Sequence, residues 1–104
     1  MPNYTTDTTI TSNLANDESL TITGVGVTVT IDASVFIPTM LYGQFNATNF
    51  GTFKLINKTN NILPITFASN SRDFRFEKKG SLIIDGDLIE IATGDGTAGQ
   101  TIDF

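Results

Sequence analysis

Carboxylates are the only side chains in this 104-residue sequence that we consider for catalysis, because histidine, cysteine and tryptophan are absent. Asp73 and Glu77 lie four positions apart in a segment of strand-like alternation, so a strand would place both on one face. Two carboxylates about 5–10 Å apart can hydrolyse glycosidic bonds when one of them lies in a cleft. Arg75 lies between them on that face, which favours surface ion pairs instead. The sequence predicts no catalytic residue and no enzyme, and a small carboxylate enzyme is the third-ranked interpretation.

A second acidic group has residue types that can bind calcium. Asp85, Asp87 and Glu90 surround Gly86, and Ca²⁺ takes several oxygen ligands from flexible loops that contain glycine. The ligand spacing of an EF-hand loop is not met. An Asp-Gly pair is typical of a turn in which glycine supplies the positive φ angle. We therefore predict a turn at this position, with no metal and no cofactor.

The charge of the chain limits its partners. The net charge is −5, and the chain has only six Lys and Arg residues, of which the densest cluster is Lys78 and Lys79 near Arg72 and Arg75. Nucleic-acid binding depends on clustered cations that displace counterions, and an anionic membrane surface repels an acidic protein. No apolar run approaches the roughly 18–20 residues of a membrane helix. We predict neither a nucleic acid nor a membrane as partner.

Short strands recur along the whole chain. The longest alternation of apolar and small or polar residues runs from Val25 to Val35, which indicates a half-buried strand. Shorter β-prone or alternating runs occur at Thr8–Thr11, Leu20–Thr23, Phe53/Leu55, Ile65/Phe67, Phe74/Phe76, Leu82/Ile84 and Ile89/Ile91. Turn residues separate these runs, and no segment has a helical period. The sequence predicts a single all-β domain over residues 1–104.

Two architectures fit about eight short strands at this spacing. Both halves of the chain pair small polar turns with short β-branched strands, which favours a short β-solenoid or β-roll-like stack of similar turns. The repeat has no fixed period, so a β-sandwich of the jelly-roll type is the alternative.

One segment, residues 38–50, interrupts the strand pattern. It combines large apolar residues with Gly43 and with several Asn and Thr residues, and we predict a loop, a hairpin or a short turn. An apolar loop on a small β domain is a suitable contact patch for a neighbouring subunit, and the apolar end of the chain can dock in the same way. The predicted interface residues are Met40, Leu41, Tyr42, Phe45, Phe50 and Phe104.

Two segments resemble the strands of β-helical proteins. Residues 5–31 contain Leu-Thr-Ile followed by Gly-Val and then Val-Thr-Val-Thr-Ile, and residues 73–91 contain Gly-Ser-Leu-Ile-Ile-Asp-Gly. The pattern is similar to that of bacterial adhesins, extracellular β-helix proteins and phage tail or virion proteins. It concerns architecture and contains no catalytic residue.

The resemblance implies a function in assembly. It implies a homo-oligomeric structural protein located in a phage virion, as a capsid decoration (cement) protein or a tail or fibre component. Its partners would be copies of itself and other virion proteins. A chain without a secretory signal, as predicted here, can leave a cell inside such a particle. The alternative is a carbohydrate-binding or adhesin module for a surface glycan, although only Tyr4 and Tyr42 offer the Tyr or Trp platforms that sugars prefer.

Overall fold

The computed structural model describes residues 3–35, 41–67, 74–93 and 102–103. These residues form strands joined by turns and contain no helix, so the all-β prediction is confirmed for them. The strands are β1 (Asn3–Tyr4), β2 (Thr8–Ile10), β3 (Glu18–Ile22), β4 (Thr28–Asp32), β5 (Leu41–Ala47), β6 (Thr52–Asn57), β7 (Leu63–Phe67), β8 (Phe74–Phe76), β9 (Ser81–Gly86), β10 (Ile89–Thr93) and β11 (Ile102–Asp103).

The strands form two sheets, and the chain passes back and forth between them. The first sheet has the order β1-β3-β5-β7-β10, with β8 also paired to β5 and β11 paired to β8. The second sheet has the order β2-β4-β6-β9. Every strand pairing within the described residues is parallel. Each return of the chain to a sheet therefore adds a strand beside the previous one.

The parallel register aligns the inward-facing residues of the second sheet in columns. One column contains Thr8, Val29, Phe53 and Leu82, and the next contains Ile10, Ile31, Leu55 and Ile84. Alternation along a strand sends every second side chain inward, which is why the members of both columns on β4 and β6 are fully buried. The columns are the second sheet's contribution to the core.

Aromatic rings fill the centre of the core. The ring of Phe45 on β5 lies 4.6 Å from that of Phe74, 4.9 Å from Tyr42, 5.0 Å from Phe53 and 5.6 Å from Phe67, measured between centroids. Three of these pairs are edge-to-face, a geometry that adds about 0.5–1.5 kcal/mol per pair beyond the burial of area. Phe45 therefore joins both sheets in one aromatic cluster.

The predicted strand from Val25 to Val35 is too long. Only β4 is extended, and Val25 and Val35 lie in turns with their side chains exposed to solvent. Gly26 has a φ angle of +67°, which glycine adopts at little cost and which ends the alternation before β4. The apolar residues at both ends of the pattern are therefore surface residues.

The predicted irregular segment is wrong for residues 41–47. They form β5, which pairs with β3 on one side and with β7 and β8 on the other. Gly43, which suggested a loop, lies where two segments of the chain approach closely: a Cβ atom there would be 2.6 Å from the Oγ of Ser19 and 2.8 Å from the carbonyl oxygen of Asp17. Glycine therefore serves strand packing at this position.

Candidate functional site

The predicted interface residues are split between the core and the surface. Tyr42 and Phe45 are 0% exposed, so neither side chain has surface to offer to another molecule, which corrects the prediction at these two positions. Phe50 is 57% exposed. Leu41 begins β5, and Met40 and Phe104 lie outside the described residues. Of the described side chains in the predicted set, only Phe50 can make contact with a partner.

Phe50 belongs to a surface that we call the stacked corner, residues 5–7, 23–27, 48–51 and 77–80. Each of these connections leads from the first sheet to the second, and successive connections lie beside one another. The Gly26 N–H donates to the carbonyl oxygen of Asn49 (2.9 Å), and the Phe50 N–H donates to that of Lys78 (3.0 Å). Through these hydrogen bonds, each connection lies beside the next at a spacing like that of neighbouring strands. We call each connection a level and number the levels from one to four in chain order.

The backbone of the stacked corner is in the left-handed region at several non-glycine residues. Phe50 has a φ angle of +65° and Lys79 one of +62°. Gly26 occupies the equivalent place one level earlier, because Gly26 and Phe50 each precede by two residues the paired Thr28 and Thr52. A left-handed conformation costs an L-residue with a Cβ atom about 1–2 kcal/mol, so Phe50 occupies a position for which glycine is better suited.

The stacked corner also exposes apolar side chains at its two middle connections, between charged residues at either end. Val25 is 77% exposed, at the level before Phe50. At the next level the Nζ atom of Lys79 lies 5.8 Å from the centroid of the Phe50 ring, within the range of a cation–π contact. The positive φ angle of Phe50 reduces the stability of the folded chain, and a side chain that is 57% exposed offsets little of that cost by burial. Such departures from local rules concentrate at functional sites, which makes this corner our candidate contact surface.

Two further apolar areas lie elsewhere on the described surface. Ile62 and Leu88 are both about half exposed and lie at successive levels, linked by a 2.7 Å hydrogen bond from the Leu63 N–H to the Leu88 carbonyl oxygen. Ile84 on β9 is also about half exposed, although the earlier members of its column are buried. β9 pairs with β6 on one side and with no other strand among the described residues. Exposed edge strands readily add another strand.

The predicted acidic sites separate in the structure. Asp73 lies outside the described residues, and Glu77 is an exposed member of the stacked corner. Asp85 pairs with Lys58 (2.5 Å), and this hydrogen bond, with the positive charges of Lys58 and Lys54, lowers the pKa of Asp85 despite some desolvation. A general acid needs the opposite shift. Within the described ranges, no three acidic side chains are grouped closely enough to hold a metal ion.

The prediction that Gly86 supplies a positive φ angle is confirmed, although Gly86 is the last residue of β9 and the chain bends only at Asp87. Gly86 has a φ angle of +119°, which glycine tolerates and other residues do not. A Cβ atom at this position would also overlap the backbone carbonyl of Asn57. Gly86 therefore has a structural role where β9 ends.

Tyr42 has a buried hydroxyl group whose oxygen has no hydrogen-bond partner among the described residues. We expect Tyr42→Phe to raise the free energy of unfolding at pH 7 by about 1–2 kcal/mol, because a buried unpaired polar group is costly. Burial, with a smaller contribution from Tyr4, raises the pKa of Tyr42 to about 12. An unfolded tyrosine ionises near pH 10, so the wild type loses about 1.4 kcal/mol of stability per pH unit between pH 10 and 12 on account of Tyr42.

The measurement is urea unfolding of both proteins at pH 7, 10 and 11. Below pH 10 the contribution of Tyr42 to the pH dependence is constant, and above it the stability of the wild type should fall more steeply than that of Tyr42→Phe. Other groups that titrate at alkaline pH are common to both proteins and cancel in the difference. A variant that is less stable at pH 7 would show that the hydroxyl group is hydrogen-bonded, and equal alkaline slopes would show that burial does not raise the pKa of Tyr42.

Comparisons with family models, with characterised proteins and with solved structures found no match to this chain. The described residues include no helix of the length and hydropathy needed to cross a membrane. A functional proposal therefore depends on the geometry of the stacked corner and on the architecture of the sheets.

Proposed function

We propose that this chain is a non-enzymatic structural protein that assembles with copies of itself through the stacked corner. We further propose that it is a component of a phage virion, as a capsid decoration protein or a part of a tail or fibre, where it also contacts other virion proteins. The single observation that carries the assembly proposal is the exposure of Phe50 on a backbone conformation that disfavours a bulky residue.

The proposal includes a fold: a short β-solenoid in which the turns of chain up to β9 contribute strands to both sheets. The parallel pairing and the columns of stacked side chains support it. Jelly rolls, the alternative, are built from antiparallel strands, and the described pairings are parallel. The virion assignment is supported by the resemblance of residues 5–31 and 73–91 to β-helical virion proteins, which is a resemblance of architecture.

Carbohydrate binding receives less support than assembly from the aromatic residues. Sugars stack on exposed aromatic platforms, and Phe50 is the only exposed aromatic side chain within the described ranges. Tyr42 is buried, and Tyr4 is half-buried with its pKa raised by burial and by the charge of Glu18. Phe50 offers no polar group to orient a sugar, whereas the neighbouring Val25 extends its apolar surface in a way that suits a protein partner.

Phe50→Gly provides a test that separates assembly from folding. We expect the variant to associate at least tenfold more weakly than the wild type, because buried aromatic anchors dominate interface energies. Its free energy of unfolding as a monomer should be equal or up to about 1 kcal/mol higher, because glycine relieves the left-handed strain at a moderate entropic cost. Light scattering over a concentration range measures the association, and urea unfolding measures the stability.

Val35→Gly is the matched control, since Val35 is also an exposed apolar turn residue but lies outside the stacked corner. It should leave association unchanged. A wild type that is monomeric at every accessible concentration would overturn self-assembly. If the chain is a virion component, it should co-sediment with phage particles from an induced lysate of cells that carry the gene. Its absence from the particle fraction would refute the virion assignment.

A further inference from the structure

We infer that two copies of this chain pack side by side in antiparallel orientation through the stacked corner, so that Asp7 of each copy faces Lys78 and Lys79 of the other. The inference rests on the proposed self-assembly and specifies its geometry. The partner is a second copy, related by a two-fold axis that passes between the levels of Val25 and Phe50.

The stacked corner has four levels in a fixed order. Asp7 belongs to the first, and its Oδ1 atom accepts a hydrogen bond from the Thr28 N–H (2.8 Å), which holds the carboxylate beside the second level. Val25 lies at the second level and Phe50 at the third, and the two lysines lie at the fourth. Adjacent strands of a sheet lie about 4.8 Å apart, so the first and fourth levels are separated by roughly 15 Å.

The charge and polarity of the exposed side chains change along the stacked corner from its first level to its fourth. The first level carries the exposed Asp7, the second and third expose the apolar side chains of Val25 and Phe50, and the fourth carries the exposed Glu77, Lys78 and Lys79. The fourth level therefore has a net positive charge on a chain whose overall net charge is −5. An apolar centre between opposite charges is the arrangement of a contact surface with a charged rim.

A stacked corner with this order of charged and apolar levels is complementary to a second copy only when that copy is reversed. In antiparallel orientation, Val25 meets Phe50 of the second copy at the centre, and Asp7 meets the two lysines at each end. In parallel orientation, the lysines would face lysines and Asp7 would face Asp7, which is unfavourable. A two-fold contact uses the same patch on both copies and closes at the dimer.

The experiment reverses the charges at each end in turn. One variant carries Lys78→Glu with Lys79→Glu, and the other carries Asp7→Lys. Each variant alone places like charges at both ends of the antiparallel contact, so each should dimerise at least tenfold more weakly than the wild type. Mixed in equal amounts, the two should form a heterodimer, because every reversed charge then faces its opposite. Light scattering and native mass spectrometry of the separate and mixed proteins provide the measurement.

A second variant covers the case in which Asp7→Lys does not fold, since it removes the hydrogen-bond acceptor of the Thr28 N–H. Asp7→Asn keeps an acceptor oxygen and removes only the charge, and it should weaken dimerisation and reduce its dependence on salt. A wild type that dimerises while the charge variants dimerise equally well would overturn the antiparallel geometry and leave self-assembly standing. A wild type that never dimerises would overturn both.

Discussion

Phe45→Ala is expected to lower the free energy of unfolding by about 3–5 kcal/mol, the cost of replacing a buried phenylalanine by alanine. Phe45 is 0% exposed, and its ring contacts four other aromatic rings that come from both sheets. A domain of this size has about 5–15 kcal/mol of stability in total, so the variant should be close to unfolded at 37 °C. Urea unfolding followed by circular dichroism measures the change.

Phe50→Ala is the matched control for this substitution. It removes the same atoms from a ring that is 57% exposed and that lies 5.8 Å from the Nζ atom of Lys79, measured from the ring centroid. We expect a loss of less than about 1 kcal/mol, in the range of ordinary surface substitutions. Equal losses for the two variants would show that Phe50 is packed as tightly as Phe45 and would remove the basis of the proposed contact surface.

The contrast between these two phenylalanines shows what the sequence could not predict. Both lie in the segment 38–50, which contains Gly43 and several Asn and Thr residues, and the sequence predicted a loop, a hairpin or a short turn there. Alternation predicts strands where small residues are rare, as in β4 and β6, and fails where glycine is present for close packing. The burial of Phe45 depends on β3, β7 and β8, and no local pattern contains that information.

The direction of the strands, parallel or antiparallel, could not be predicted from the sequence either. Alternation is the same in parallel and antiparallel strands of a half-buried sheet, so the sequence left the solenoid and the sandwich open. The paired positions Thr8, Val29, Phe53 and Leu82 are separated by 21, 24 and 29 residues, from 8 to 29, 29 to 53 and 53 to 82. The strands must align while the turns vary in length, and this is why no fixed period is visible.

The sequence does contain a short repeated pattern that corresponds to the stacked corner. Gly51 and Gly80 each precede a Thr or Ser and then an apolar residue, and they lie at equivalent places in successive levels. Aligning these two short patterns would have placed Phe50 and Lys79 side by side. The positive φ angle of Phe50 could not be predicted in this way, because the sequence alone does not say which residue of a turn takes the left-handed conformation.

The buried side-chain amide of Asn57 organises the turn after β6. The Nδ2 atom donates to the carbonyl oxygens of Asn61 (2.8 Å) and Leu88 (3.1 Å), and the Oδ1 atom accepts from the N–H (3.0 Å) and hydroxyl (2.7 Å) of Thr59. We expect Asn57→Ala to cost about 2–4 kcal/mol, because the variant leaves several of these partners unpaired. Asn57→Asp should cost more at pH 7, because an ionised carboxylate cannot donate and would face two carbonyl oxygens.

The pH dependence separates the two variants. Burial beside carbonyl oxygens should raise the pKa of the introduced carboxyl group above the roughly 3.9 of an unfolded aspartate. Stability that depends on the protonated form is then fully present below pH 4 and is lost as the pH rises through the folded-state value. The free energy of unfolding of Asn57→Asp should therefore approach that of the wild type as the pH falls from 7 to 4. For Asn57→Ala, the difference from the wild type should stay constant over this range. Urea unfolding of the three proteins across this range provides the measurement. Parallel pH profiles for the two variants would mean that residue 57 is hydrated, and the turn would then owe its shape to Thr59 and the backbone alone.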